Sequence, residues 1–492
     1  MAATTEVAAG RRAPARLFVG GSWRDAADGH VFVTEHPATG EPIDRVARAG
    51  LLDVDAAVTA ARAALASRAW SGMEALDRGA LLWRIADAVE ADAERLARLE
   101  VLDTGKPLKE ARIDLDATVD TFRYFAGWPA RIHGATIPVR GSVFNYTLKE
   151  PVGVIGAIVP WNFPLLQAAW KVAPALACGN AVVLKPAEQS PLTALELAHM
   201  AAGAGVPPGV LNVLPGDGET TGAALVRHPG VDAVAFTGST AVGRIVMSEA
   251  AARTAPISLE LGGKSPNIVF EDADLRAAAR GAYNAIFYNA GQCCTAGSRL
   301  LVQESVHEAL LELLLVRARA LVPGDPFDPR TRLGPLVSAA QQSRVLRYAE
   351  RASAEGGRLL LGGGVPRVDG FPGGYWMEPT LIDGVHPDAT IAQEEVFGPV
   401  LSILTFRDEA EAIELANRTI YGLAAGIWTR DGQRAHRVAR AVRAGTVWIN
   451  MYNPLDPASP FGGVKQSGFG RELGADAIGL YTQVKSVWYA LG

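Results

Sequence analysis

The chain has 492 residues and a mass of 51.8 kDa, which is too long for one hydrophobic core and favours two or three domains. A net charge of −5 and a pI near 6.0 give no electrostatic reason to expect nucleic acid or an anionic membrane as a partner, and no apolar run is long enough for a membrane helix. Three cysteines cannot form a disulfide framework, which predicts a reducing, cytoplasmic compartment.

The N-terminal quarter is predicted to contain packing elements. Residues 1–14 are alanine-rich without an apolar export segment, so we predict a disordered tail. The Gly20-Gly21 pair within 18–23 indicates a short hairpin, and residues 36–40 indicate a turn. Apolar residues at helical spacing predict four helices, near 54–65, 81–89, 96–102 and 108–125.

Two segments have alternating, strand-like patterns with no helix to cover them. Residues 136–139 and 143–148 predict two strands joined by a turn at Gly141, and residues 480–491 have similar character. An isolated two-stranded ribbon is barely stable in water, so we expect these strands to pair with one another, within one chain or across subunits. This pattern motivates the prediction of a homo-oligomer.

From residue 151 onward, short apolar strands alternate with helices. The predicted strands are 152–159, 181–184, 210–214 and 233–236. One intervening helix spans 165–178, and Ser190-Pro191 opens the next in N-cap and N1 order. The alternation predicts a parallel sheet covered on both faces, with ligands at the carboxyl ends of its strands.

The loops at those strand ends carry unusual residues. They read Pro-Trp-Asn-Phe-Pro at 160–164, Lys-Pro-Ala-Glu at 185–188 and Thr-Gly-Ser-Thr-Ala-Val-Gly at 237–243. The last opens a helix whose free N–H groups suit a pyrophosphate, although a plain tight turn is an alternative. Lys185 and Glu188 suit the hydroxyls of a nucleotide ribose, and a surface ion pair is their alternative.

Two further features point to covalent chemistry. Glu260 lies between two leucines, an expensive place for a carboxylate unless it is hydrogen-bonded or held protonated, as a general base is. Alternatively, the Glu260 carboxylate caps a neighbouring segment of backbone. Cys293 and Cys294 stand side by side between an apolar helical run and an apolar strand. A thiol on such a loop suits a nucleophile, and simple packing is the alternative.

A second alternating unit of strands and helices runs from residue 266 to 450. It includes the acidic pair Glu394-Glu395, which Phe-Gly-Pro at 397–399 fixes against the following strand. The whole chain is therefore predicted to be an α/β protein with two sheets.

Six motifs stand in order along the chain. They are the three strand-end loops at 160–164, 185–188 and 236–240, Leu-Glu-Leu-Gly-Gly-Lys at 259–264, Gly-Gln-Cys-Cys at 291–294, and Glu-Val-Phe-Gly-Pro at 395–399. Together they resemble the NAD(P)-dependent aldehyde dehydrogenase family, from about residue 16 to the end. The resemblance implies an aldehyde dehydrogenase-like α/β fold with three parts. These are a Rossmann-like parallel-sheet NAD-binding domain (16–127 and 151–258), an α/β catalytic domain (259–460) and a small β-hairpin oligomerisation domain (128–150 and 474–492) that forms homodimers or homotetramers.

The resemblance also implies roles for individual residues. Cys294 would be the nucleophile and Glu260 the general base that hydrolyses the thioester; Asn162 and the Cys294 backbone N–H would hold the oxyanion. The implied cofactor-binding residues are Trp161, Lys185, Glu188, Gly238, Ser239, Gly243, Glu395 and Phe397. Glu188 favours NAD over NADP, because a carboxylate repels a 2′-phosphate. The implied substrate tunnel is lined by Phe163, Leu166, Trp170, Leu455 and Phe461, and no metal ligand is assigned.

The five tunnel residues are uncharged, which favours an uncharged aliphatic or aromatic aldehyde over a semialdehyde. The segment 455–458 is similar to phenylacetaldehyde dehydrogenases, and a betaine-type or amino-aldehyde is an alternative through aromatic faces. Other classes are a cysteine hydrolase or thioesterase, which would want a histidine in the motif loops, and a catalytically silent binding protein, which would have lost Cys294 or Glu260. CoA-acylating relatives typically lack the glutamate, so water is the expected acceptor. A reversible disulfide between Cys293 and Cys294 is a further hypothesis.

Overall fold

The computed structural model describes residues 10–492, so positions 1–9 of the predicted tail lie outside the described residues. The rest of that prediction is wrong, because residues 11–13 pack against the body of the protein. Ala13 is buried, and the backbone N–H groups of Arg12 and Ala13 donate to Oε1 of Glu196 at 2.9 and 3.0 Å.

Twenty strands form four sheets over residues 10–492. In chain order they are β1 (Leu17–Val19), β2 (Ser22–Arg24), β3 (Val31–His36), β4 (Glu41–Ala47), β5 (Thr136–Ile137), β6 (Val143–Pro151), β7 (Val154–Ile158), β8 (Ala181–Lys185), β9 (Leu211–Val213), β10 (Ala233–Thr237), β11 (Ile257–Glu260), β12 (Pro266–Val269), β13 (Arg299–Gln303), β14 (Arg358–Leu361), β15 (Thr380–Asp383), β16 (Val400–Phe406), β17 (Ala424–Trp428), β18 (Thr446–Ile449), β19 (Gly468–Phe469) and β20 (Thr482–Ala490).

Sixteen α-helices accompany these strands in the same part of the chain. They are α1 (Leu51–Ala66), α2 (Arg68–Ser71), α3 (Ala75–Ala91), α4 (Ala93–Thr104), α5 (Leu108–Ala126), α6 (Pro164–Ala177), α7 (Leu192–Gly203), α8 (Ala223–Arg227), α9 (Thr240–Ala251), α10 (Leu275–Phe287), α11 (His307–Arg319), α12 (Ala339–Ala354), α13 (Thr390–Gln393), α14 (Glu409–Asn417), α15 (Gly432–Ala441) and α16 (Ile478–Tyr481).

The first sheet has eight strands in the order β19-β11-β10-β7-β8-β9-β1-β2. The five strands from β11 to β9 are parallel, which confirms the predicted α/β pattern. Strands β7, β8 and β10 are buried along their length, as parallel strands covered on both faces must be. Because β8 and β10 flank β7, the three loops that follow them meet at one edge of the sheet.

The second sheet has seven strands in the order β14-β15-β16-β13-β12-β17-β18. The cysteine loop joins the end of α10 to the start of β13, so it lies at the amino edge of this sheet. The Asn162 side chain donates to the backbone oxygen of Gln292 at 2.9 Å. The carboxyl edge of the first sheet therefore meets the amino edge of the second at the cysteine loop.

The third sheet confirms the predicted pairing of the ribbon with the C-terminal strand. Its order is β20-β6-β5, and β20 pairs antiparallel with all nine residues of β6 within one chain. Trp488 and Tyr489 remain exposed on β20.

Two local predictions need correction. Ser190 does not cap α7: its hydroxyl donates to the Trp161 backbone oxygen, and Asp103 accepts the Leu192 N–H instead. The turn at 36–40 is the tip of a hairpin formed by β3 and β4, whose strands were not predicted.

Candidate active site

Two cavities meet at Cys294. The larger has a volume of about 650 Å³ and the smaller a volume of about 350 Å³. Three side chains line both of them, those of Gln167, Cys294 and Phe461. The two cavities therefore adjoin at these three side chains, and the Cys294 thiol is the nucleophilic group among them.

The cysteine loop turns sharply before it reaches the thiols. Helix α10 ends at Phe287, and Asn289, Ala290 and Gly291 follow with φ angles of 49°, 52° and 71°. At Gly291 a Cβ would lie 2.1 Å from the Gly398 backbone oxygen, so only glycine fits. The turn leaves Cys294 partly exposed between the cavities.

The other vicinal cysteine faces a different environment. Cys293 is buried, and its Sγ lies 3.2 Å from the Thr295 hydroxyl. It borders only the larger cavity, whereas Cys294 borders both. The geometry therefore favours Cys294 over Cys293 as the nucleophile, independently of the family resemblance.

The environment of Cys294 keeps its thiol protonated at neutral pH. A hydrogen bond with the Cys293 side chain and burial raise the pKa of Cys294 well above its usual value, and the nearby carboxyl groups of Glu395 and Glu260 act in the same direction. A protonated thiol is a weak nucleophile, so attack at neutral pH needs a base that accepts its proton.

Glu260 ends β11 and lines the smaller cavity. Burial and the neighbouring Glu472 raise its pKa well above the usual value, although Lys171 opposes them. Neither of its carboxylate oxygens makes a well-formed hydrogen bond to a side chain or backbone group among residues 10–492. A carboxyl group left open in this way can accept a proton from a thiol or a water molecule.

Sequence reasoning missed two buried charges next to Glu260. The Lys171 ammonium contacts Glu472 and donates to the Thr237 hydroxyl at 2.6 Å. Both Lys171 and Glu472 are almost completely buried. A lysine in the middle of an otherwise apolar helix was the available signal for this pair, because a buried ammonium requires a partner.

Asn162 lies in the loop after β7 and is locked to the cysteine loop. Its Nδ2 donates to Gln292 O at 2.9 Å, and the Asn289 side chain donates back to Asn162 O at 3.1 Å. Its amide lines the smaller cavity next to Cys294. The arrangement can present a donor to an oxygen that develops charge on a carbon attached to the thiol.

Seven of the eight predicted cofactor-binding residues line the smaller cavity. They are Trp161, Lys185, Glu188, Gly238, Ser239, Glu395 and Phe397. Gly243 does not reach it: a Cβ there would lie 2.4 Å from Leu261 Cδ2, so this glycine serves the packing of α9 against the strand end.

The smaller cavity has the features that a dinucleotide needs. Helix α9 points its first turn toward it, with Ser239 as the N-cap that accepts the Val242 N–H at 3.2 Å. Lys185 lies 3.5 Å from Glu188, whose carboxylate is 40% exposed and can turn toward a ribose. Glu395 accepts the Gly263 N–H at 2.9 Å, and burial raises the pKa of Glu395 to about 7.

The larger cavity contains all five predicted tunnel residues. They are Phe163, Leu166, Trp170, Leu455 and Phe461. These five side chains are uncharged, but the cavity as a whole is not, because Glu110, Asp114, Asp456 and Arg332 also line it. Asp114 is already paired with Lys106, which lies 4.5 Å above the ring of Phe163.

Two kinds of feature are absent from the described residues. Between positions 10 and 492 no group of three or more His, Cys, Asp or Glu side chains is arranged to hold a metal ion. No helix in that range is both long and apolar enough to cross a membrane.

Comparison with known proteins places these features in a family context. Residues 23–487 match the model of the aldehyde dehydrogenase family. Human retinal dehydrogenase 2 is 49% identical over 477 residues, covering 96% of this chain and 91% of its own. Rat mitochondrial aldehyde dehydrogenase is 48% identical, covering 99% and 94%. The structure of Staphylococcus aureus betaine aldehyde dehydrogenase in complex with NAD+ superposes with a TM-score of 0.98 at 39% identity, covering 100% and 98%.

Proposed function

The chain belongs to the aldehyde dehydrogenase family and is an aldehyde-oxidising oxidoreductase, and from this premise we propose that it oxidises bulky, uncharged aldehydes to carboxylic acids with NAD. The observation that carries the proposal is the position of Cys294, the one cysteine that borders both cavities. An aldehyde in the larger cavity and a nicotinamide in the smaller one would meet at its sulfur.

The residues around Cys294 supply the remaining steps. Glu260 accepts the thiol proton, and the sulfur attacks the aldehyde carbon. The resulting oxyanion receives hydrogen bonds from the Asn162 amide and the Cys294 backbone N–H. NAD bound in the smaller cavity would supply the acceptor for the hydride that leaves the adduct carbon. Glu260 releases the thiol proton to solvent and then deprotonates the water molecule that attacks the thioester carbon, so that the acid forms and the Cys294 sulfur leaves as a thiolate.

The cofactor proposal rests on the smaller cavity. Lys185 and Glu188 would hold the adenosine ribose and Ser239 the pyrophosphate, while Glu395 would bind the nicotinamide ribose. Trp161 and Phe397 would form one wall of the cofactor site, because both line the cavity and their rings contact each other edge to face with centroids 5.3 Å apart. Glu188 favours NAD because its carboxylate binds a 2′-hydroxyl and repels a 2′-phosphate.

The substrate proposal rests on the size and walls of the larger cavity. A volume of about 650 Å³ exceeds what a short aldehyde fills, and aromatic and aliphatic side chains dominate its wall on α6. Relatives are named for substrates as different as retinal and betaine aldehyde. The acidic residue Asp456 favours a second candidate, an amino- or betaine-type aldehyde that carries a positive charge.

The assembly and location are also proposed rather than observed. We retain the three-part division into an NAD-binding domain (16–127 and 151–258), a catalytic domain (259–460) and an oligomerisation domain (128–150 and 474–492). The exposed edge of β20, with Trp488 and Tyr489, would join subunits into a homodimer or homotetramer. All three cysteines are unpaired, which suits a reducing compartment such as the cytoplasm.

One assay tests the activity and its rivals together. Purified protein is mixed with NAD or NADP and a panel of aldehydes, and reduced nicotinamide is followed by absorbance with and without CoA. The panel pairs apolar aldehydes of increasing length with an amino-aldehyde and betaine aldehyde. Turnover without CoA that increases with apolar bulk supports the proposal, whereas thioester hydrolysis without nicotinamide reduction favours a hydrolase.

A further inference from the structure

The turn before the two cysteines has an unusual backbone conformation. Asn289, Ala290 and Gly291 are three consecutive residues in the left-handed region, with φ between 49° and 71°. Residues with a side chain are unfavourable there, and the conformation persists only where surrounding contacts over-determine it. The contacts that hold this turn therefore decide where Cys294 stands.

Those contacts come from several elements. The Asn289 amide donates to Asn162 O at 3.1 Å and to Gln292 O at 3.2 Å, while Gln292 Oε1 accepts the Val337 N–H at 2.9 Å. The backbone N–H of Asn289 donates to Glu110 Oε2 at 2.9 Å. That last bond ties the first residue of the turn to helix α5, 179 residues earlier in the chain.

Glu110 has no part in the mechanism proposed above, yet it occupies an expensive position. It lines the aldehyde cavity, and burial raises its pKa to about 8 against the favourable hydrogen bond from Asn289. The neighbouring Asp114 adds to the increase, while Lys106 opposes it. Either protonation state of Glu110 keeps an oxygen that can accept an N–H. The hydrogen bond from Asn289 therefore offsets part of the cost of burying this carboxyl group.

We propose that Glu110 is a positioning residue for the nucleophile, which holds the left-handed turn by accepting the Asn289 N–H. This turn fixes the position of two groups. They are the Cys294 sulfur and the Asn162 amide, which is hydrogen-bonded to the same loop. Loss of the acceptor would let the loop relax by a fraction of an ångström, which is enough to misalign sulfur and oxyanion donor. This inference rests on the proposed role of Cys294.

The test compares Glu110→Gln, which keeps an acceptor oxygen, with Glu110→Met, which has a similar length and no acceptor. Asp120→Ala is the matched control, because Asp120 is an exposed acid on the same helix. We measure kcat and KM for an apolar aldehyde, KM for NAD, the thermal midpoint, and the rate at which iodoacetamide alkylates Cys294. Glu110→Met should lose about 10- to 100-fold in kcat and in alkylation rate, with KM for NAD unchanged.

Glu110→Gln and Asp120→Ala should both stay within about threefold of the unmodified protein, since each keeps the Asn289 acceptor. Normal kcat in Glu110→Met would overturn the proposal, and so would a Gln variant as slow as the Met variant. If Glu110→Met does not fold, Glu110→Asp serves instead: an acceptor shortened by one carbon should slow alkylation at an unchanged thermal midpoint, and a normal alkylation rate would refute the role. Persistent oxidation by Cys294→Ala would instead refute the proposed function, independently of every Glu110 result.

Discussion

The two cavities that meet at Cys294 are built in opposite ways. The smaller one is lined by loops that follow β7, β8 and β10, three neighbouring strands whose ends share one edge of a sheet. The larger one is lined by faces of α5, α6 and α10 and by residues 451–457, which come together only in the complete fold. The smaller cavity requires particular residue types at fixed places, whereas the larger cavity requires only a shape. Substitutions at Cys294, where the cavities meet, should therefore abolish the reaction. Substitutions in the smaller cavity should change the choice of cofactor, and those in the larger cavity should change substrate preference.

Substitution of Cys294, where the two cavities meet, should have the largest effect on aldehyde oxidation. Cys294→Ala removes the sulfur that both cavities share, and we expect aldehyde oxidation to fall by about 10⁴-fold or more while NAD binding persists. Nicotinamide absorbance measures the first quantity and fluorescence quenching the second. Cys293→Ala is the matched control and should keep most of the activity; the reverse result would exchange the roles of the two cysteines.

Glu260→Gln should slow the release of acid by about 100- to 1000-fold, because the amide cannot accept a proton from water. Burial raises the pKa of Glu260, so its basic form appears only as the pH rises toward that raised value, and thioester hydrolysis in the unmodified protein should accelerate as the pH rises through it. Single-turnover measurements of acid release from preformed acyl-enzyme should show this rise and its absence in the Gln variant. A pH-independent rate in the unmodified protein would argue against Glu260 as the base.

Asn162→Ala removes an oxyanion donor and should lower kcat by about 100- to 1000-fold with little change in KM for NAD. Because Asn162 also bonds to Gln292 O, the alkylation rate of Cys294 reports whether the loop has moved. A loss of kcat at an unchanged alkylation rate identifies oxyanion binding, whereas equal losses in both would show that Asn162 acts only by holding the loop.

Glu188→Ala should change cofactor choice rather than chemistry. The carboxylate is partly exposed, so we expect its removal to lower the ratio of NAD to NADP efficiency by about tenfold. Glu219→Ala is the control, since it removes an exposed carboxylate beside Gly218, a residue of the same cavity. An unchanged ratio in Glu188→Ala would show that this carboxylate does not contact the ribose.

The aldehyde cavity should give the smallest effects. Gln167 is buried and its Oε1 has no hydrogen-bond partner within residues 10–492, although the side chain lines both cavities. Replacement by the similarly shaped methionine removes that unpaired amide, so Gln167→Met should raise kcat/KM for a long apolar aldehyde by about threefold and leave acetaldehyde unchanged. A loss with both aldehydes would show that the amide takes part in the reaction.

The same contrast explains what the sequence could predict. The strand-end loops were placed correctly because helix openings and buried strands are local patterns, and Lys185, Glu188 and Ser239 line the predicted cavity. The exception in that set is Gly243, which is not part of the cavity lining and whose absent Cβ makes room for Leu261. Its tight packing could not be read from a turn motif alone.

Contacts between distant segments were harder to predict. The pair of Lys171 and Glu472 joins residues 301 positions apart, and no local pattern indicates such a partner. The acids Glu110 and Asp114 lie on the face of α5 that forms one wall of the aldehyde cavity, which appears in the sequence as an ordinary amphipathic helix. Ser190 has the usual N-cap position and residue type, but its hydroxyl bonds to the Trp161 loop instead. In each case a tertiary contact decided the role.

During catalysis the substrate carbon is bonded covalently to Cys294. That carbon is oxidised only in the presence of NAD. The most direct measurement is mass spectrometry of Glu260→Gln protein quenched after prolonged mixing with an apolar aldehyde and NAD at alkaline pH, where solvent hydroxide can remove the thiol proton in place of Glu260. We predict an acyl group, at the mass of the carboxylic acid less water, on the peptide that contains Cys294, and none when NAD is omitted. An acyl group on another residue, or no adduct while reduced nicotinamide accumulates, would contradict it.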